Sequence, residues 1–119
     1  MKAIVKETEG AGSLQVTEMP EPEIGPEKVL IQIKAANICY TDVSILNNKY
    51  VGKKSVPIPL IMGHEGSGIV AELGSGVHDL HVGDHVTIEP ISGCGYCEHC
   101  KQGFPNMCPQ WDHIGITEH

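Results

Sequence analysis

The chain has 119 residues, a net charge of −7 and eight basic residues, all of them Lys. With no Arg it lacks the planar fork that reads guanine and phosphate, and an acidic domain is a poor match for nucleic acid or an anionic membrane. Hydrophobic residues make up 40% and aromatics only 4%, which excludes a disordered chain and leaves Val, Ile, Leu and Ala to build one domain's core.

In chain order, Met1–Lys6 holds one short apolar stretch followed by charge, which is not the pattern of a signal peptide. Lys2–Lys6 and Ser13–Glu18 read as short strands. The acidic, Pro-rich stretch from Glu18 to Glu27 reads as a solvated loop. Lys28–Ala36 alternates, with Val29, Ile31 and Ile33 on one face and Leu30, Gln32 and Lys34 on the other. Thr41-Asp42 predicts the cap of a short helix running towards Leu46. A glycine-rich approach, Gly63 to Gly68, leads into a strand at Ile69–Ala71. Turns follow at Gly74-Ser75-Gly76 and Gly83-Asp84, then a strand over His85–Glu89. Short strands with frequent turns predict a mainly β domain, barrel-like or sandwich-like. No run approaches the ~18 apolar residues of a membrane-spanning helix.

Of the five cysteines, Cys94, Cys97, Cys100 and Cys108 are spaced C-x2-C-x2-C-x7-C. Two residues between thiolates let one turn present both sulfurs to a single ion. Four such ligands make the closed tetrahedral site of structural zinc, in a lobe spanning about residues 92–109. An iron–sulfur cluster also takes four cysteines, but nothing else points to electron transfer. The lobe offers only Tyr96, Phe104 and Met107 as apolar side chains of any size, so metal must stand in for a core. His99 lies within it and is read as solvated, as are His78, His81, His85, His113 and His119. The crowded, unpaired thiols suit a reducing, cytoplasmic setting.

The fifth cysteine stands in Asn37-Ile38-Cys39-Tyr40-Thr41-Asp42. Downstream, Gly63 to Val77 fits G-H-E-x2-G-x5-G-x2-V without a mismatch, and Gly83-Asp84-x-Val86 and the cysteine lobe follow. On these motifs, in this order, the chain resembles the medium-chain zinc-dependent alcohol dehydrogenases over essentially its whole length. Within them it is most similar to the polyol and threonine dehydrogenase branches. The resemblance implies a GroES-like catalytic domain over residues 1–119, a partly open barrel of short strands with short helices and a zinc-binding lobe. It implies that Cys39 and His64 ligate a catalytic zinc and that Glu65 is an alternative ligand or electrostatic tuner. Asp42 would orient the ligand histidine, and Thr41 would hydrogen-bond the substrate alcohol and begin a proton relay. The chemistry implied is oxidation of a small alcohol or polyol to a ketone or aldehyde, hydride passing from a zinc-bound alkoxide to NAD or NADP.

The pattern departs from the family at Ser44, where some members have a His that passes the proton onward; a Ser can relay a proton but cannot hold one near neutral pH. There is also no G-x-G-x-x-G followed by a helix pattern. The expectation is therefore that the NAD(P)-binding Rossmann domain lies outside these residues, along with a third protein ligand for the catalytic zinc. The 119 residues alone should then be inactive, and the full-length enzyme should be a homo-oligomer. The rival readings are a stand-alone zinc-stabilised binding module and a GroES-like chaperone relative. Neither explains Cys39, His64 and Glu65.

Overall fold

A computed structural model of the chain describes residues 1–52 and 54–117. Strand β1 (Lys2–Lys6) runs antiparallel between β2 (Leu14–Glu18) and β4 (Leu60–Ile61). A second antiparallel sheet takes β3 (Val29–Asn37), β5 (Glu65–Leu73) and β6 (His85–Thr87), in that order. Helix α1 (Tyr40–Leu46) follows β3. The cysteine lobe holds α2 (Glu98–Lys101) and a 3-10 turn at Pro105–Met107. Its neck is the ladder of β7 (Ile91–Ser92) with β8 (Asp112–His113). The domain is mainly β, as expected, and the loop between β2 and β3 is largely exposed.

Three sequence expectations need correction. The strand placed at Ile69–Ala71 begins at Glu65, so Gly66 and Gly68 lie inside it and only Gly63 precedes it. Gly68 faces Ile33 across the ladder. A Cβ there would strike the Gln32 carbonyl oxygen and sit 2.8 Å from the Ile31 side chain. Here glycine marks a close approach of two strands and not a turn. The alternation read in β3 is also broken. The register shifts at Leu30/Ile31 and again at Ile33/Ala35, and such irregularities re-aim the side chains that follow, leaving Ile33 48% exposed. Helix α1 starts earlier than Thr41-Asp42 suggests. Cys39 is its N-cap, and Asp42, three residues on, accepts the Cys39 backbone N–H at 2.9 Å.

The innermost cluster joins Ile45 of α1, Leu60 of β4 and Ile116, all at most 3% exposed, with Tyr50, Val56 and Met62 against them. Burying each of the three aliphatic side chains contributes about 1.5–3 kcal/mol. The cluster ties the helix bearing Thr41 and Asp42 to the segment after β8. Beyond it the molecule is open: it exposes 8098 Å², against roughly 6,300 Å² for a compact chain of this mass.

Candidate metal centres

The lobe's turns bring Cys94, Cys97, Cys100 and Cys108 together, their sulfurs all within 4.8 Å of one another. Backbone N–H groups point at three of them. Cys97 donates to Cys94 Sγ and Cys100 to Cys97 Sγ, each at 3.4 Å, while Cys94 and Gln110 donate to Cys108 Sγ at 3.4 and 3.3 Å. The thiols differ in acidity. Burial acts to raise Cys94, but donated hydrogen bonds from the Tyr96 and Cys97 backbone outweigh it and bring it down to about 7. Burial and the neighbouring thiols push Cys100 up to about 12. Four thiolates cannot share this space uncompensated, so the donor set fits a cation, and four sulfurs in tetrahedral reach fit zinc. Tyr96, Phe104 and Met107 are all more than half exposed. Apolar packing therefore gives the lobe little support of its own.

The second cluster is assembled from two distant elements. Cys39 caps α1, while His64 and Glu65 stand where the chain enters β5. One donor atom from each lies within 4.8 Å of the others. His64 is buried, Cys39 half-buried and Glu65 exposed. His64 Nδ1 faces Asp42 Oδ1 at 3.4 Å, with both side chains less than a tenth exposed. These two atoms are the buried side-chain N and O atoms without a hydrogen-bond partner among the described residues. A buried imidazole turned to a buried carboxylate leaves Nε2 for a metal, as ligand histidines generally require. The residues present thus fit a zinc held by sulfur, nitrogen and oxygen with room for a further ligand. Thr41 Oγ1 is 3.6 Å from Cys39 Sγ. Ser44 Oγ donates to the Tyr40 carbonyl at 3.2 Å and so is turned back onto its own helix. Beside the cluster lies a cleft of ≈470 Å³ lined by Asn37, His64, Glu65 and Ile88 among others. A cavity of similar size, ≈480 Å³, lies against Lys6 and Tyr50, away from both clusters.

Sequence reasoning missed several residues around this cluster. His113, read as a solvated side chain, is half-buried and stands edge-on to His64, with ring centroids 5.0 Å apart. Trp111 and Gly115 flank it and were not singled out. No local pattern marks them: the partners of His113 and Gly115 lie some fifty residues away, and Trp111 stands against the His113 ring. The reading of His119 falls outside the described residues.

Residues 25–117 match the family model of the alcohol dehydrogenase GroES-like domain. The chain is 41% identical over 117 residues to L-threonine 3-dehydrogenase of Rhizobium etli, covering 98% of this chain and 34% of that protein. It superposes on galactitol-1-phosphate dehydrogenase of Escherichia coli with a TM-score of 0.87 at 34% identity, covering 99% of this chain and 33% of the other. For the cobalt- and zinc-bound thermostable alcohol dehydrogenase of Pyrobaculum aerophilum the TM-score is 0.89 at 33% identity, with 100% and 36% covered. The chain spans about a third of the length of the curated relatives it matches. Its motifs, its fold and these likenesses agree, and the chain belongs to the alcohol dehydrogenase GroES-like domain family.

Proposed function

We propose that these residues form the metal-binding catalytic part of a zinc-dependent, NAD(P)-linked dehydrogenase that oxidises the hydroxyl of a small alcohol, polyol or hydroxy amino acid. The observation that carries this reading is the Cys39–His64–Glu65 cluster, with its donor atoms within 4.8 Å and its histidine backed by a buried Asp42. Cys39, His64 and Glu65 would hold the zinc, which when bound supplies Lewis-acid polarisation of the substrate oxygen. Asp42 sets the tautomer of His64. Thr41, beside the Cys39 sulfur, is placed to take a hydrogen bond from the substrate hydroxyl and start its proton outward. Ser44, committed to the Tyr40 carbonyl, must rotate to extend that path. Cys94, Cys97, Cys100 and Cys108 would hold a second, structural zinc. The four thiolates leave it no open position.

The NAD(P)-binding part is absent from these residues, which contain no G-x-G-x-x-G leading into a helix. The relatives are about three times as long, which leaves room for a second domain in that role; the working form we propose is a cytoplasmic homo-oligomer. Among the described residues no helix is long and apolar enough to cross a membrane. A stand-alone zinc module would account for the lobe but not for the buried Asp42–His64 pair. The test is to read the coding sequence beyond His119 and assay the resulting protein for alcohol-dependent reduction of NAD and NADP. Activity lost in Cys39→Ala and in His64→Ala is expected. The 119 residues alone should stay at the blank rate. Full activity in either variant would defeat the proposal.

A further inference from the structure

After leaving the cysteine lobe, the chain turns back onto the Cys39–His64–Glu65 cluster. Strand β8 pairs with β7, His113 opposite Ile91, and the Ile114 N–H donates to the Pro90 carbonyl at 3.0 Å. Three anchors then hold the segment down. Asp112 is paired to Lys54 in the loop before β4. Gly115, at φ +72°, rests on the Gly63 carbonyl so closely that a Cβ would overlap it. Ile116 enters the core against Ile45 and Leu60. Between these anchors His113 is itself fixed. Its backbone N–H donates to Thr117 Oγ1 at 2.9 Å, and its Nδ1 lies 3.0 Å from the Ile114 carbonyl oxygen. Its ring meets that of His64 edge to face, with an interplanar angle of 79°, and Trp111 stands at 6.1 Å from it.

We propose that His113 is a positioning residue for His64: its ring forms the wall that fixes the plane of the His64 imidazole towards the metal cluster. The need for a second restraint is physical. Rotation of an imidazole about its outer torsion is soft and broad. The Asp42 contact at 3.4 Å is longer than a well-made hydrogen bond and does not define the ring plane on its own. An edge-to-face ring at 5.0 Å sits within the favoured range for aromatic pairs and blocks that rotation. The same segment presses on Gly63 and holds the backbone of the residue before His64. The lobe's neck and the candidate catalytic histidine are thus joined through one side chain.

This inference rests on reading Cys39, His64 and Glu65 as a metal site, and the experiment separates the two. The 119-residue chain is first given one equivalent of zinc to fill the four-cysteine lobe. It is then titrated with cobalt(II), following the thiolate-to-cobalt absorption band. The parent should bind a second equivalent with a band that Cys39→Ser abolishes. If it does not, the metal-site reading falls, and this proposal with it. With binding established, His113→Ala should weaken cobalt binding by about 10-fold and alter the band, in the range found when groups supporting a ligand histidine are removed. His113→Phe keeps the ring edge and cannot ligate, so it should restore binding to within about twofold of the parent. A far-ultraviolet circular dichroism spectrum and a urea midpoint matching the parent's report that each variant keeps its fold. If the Ala variant loses it, His113→Gln serves as the disrupting change. Undiminished binding and an unchanged band in the disrupting variant would overturn the proposal, as would a Phe variant as weak as that one.

Discussion

Asp42 does two jobs with one carboxylate. Its Oδ2 accepts the backbone N–H of Cys39, and its Oδ1 faces Nδ1 of His64. It therefore orients both a thiolate and an imidazole of the candidate site while buried to 6% exposure. Asp42→Asn keeps the shape and removes the charge. We expect metal affinity at Cys39–His64–Glu65 to fall by about 10- to 100-fold, with the four-cysteine lobe unchanged. Cobalt titration of the two sites tests this, and an equal loss at both would contradict it. Gly115 is a second residue whose identity is forced. Its φ of +72° disfavours any side chain, and the Gly63 carbonyl occupies the place of a Cβ. Gly115→Ala should cost at least about 1–3 kcal/mol in urea unfolding. Gly115→Asn tolerates the backbone angle but still carries a Cβ, so it should not recover the loss.

Among the elements, the β8 segment has the most to connect. Its Asp112 carboxylate is held below the usual range, chiefly by the hydrogen bond from the Lys54 ammonium and against the effect of burial. A lowered folded value means that the pair stabilises above the unfolded carboxylate pKa, roughly 3.9, and is lost as pH falls through the folded value. Asp112→Asn should therefore have a lower urea midpoint than the parent near neutral pH, and the gap should close in acid. Both partners are more than a third exposed, so the gap should be small. A gap that widens in acid would show the sign to be wrong. The cysteine lobe depends on a different force. With Tyr96, Phe104 and Met107 facing solvent and Cys108 buried, ligand bonds to the proposed zinc would replace packing. Stripping its metal should expose residues 94–108 to proteolysis while the two larger sheets resist.

At the scale of the molecule, the two clusters differ in closure. One has four sulfurs supported by backbone N–H groups. The other has three donors beside a cleft, one of them on an exposed Glu65. Zinc held by three donors and solvent leaves more readily than zinc in a complete thiolate cage. A chelator titration should then release metal in two stages, with the Cys39 cluster first. Release of both in a single stage would show that the lobe and the cluster do not act as separate sites. Cavity size does not single out the site. The ≈480 Å³ cavity against Lys6 matches the ≈470 Å³ cleft at His64, and only the latter borders a set of metal-ligating side chains.

The sequence by itself determined what is local. Cysteines two residues apart meet at one point because a single turn brings them there, so the lobe was legible from spacing alone. The Gly63-His64-Glu65 stretch and Cys39 were legible as a resemblance, through a pattern that matches at every position. The alternation of β3 misled, as did Gly66 and Gly68, which read as an approach to β5 and lie within it, because bulges and a close strand approach depend on the neighbouring strand. Only the tertiary structure decided that His113 meets His64, that Gly115 presses on Gly63 and that Lys54 reaches Asp112. Those contacts join residues roughly fifty to sixty positions apart, and a linear pattern has no period at that distance. They exist because Ile45, Leu60 and Ile116 share one core, and burying that core brings the end of the segment back against the start of β5.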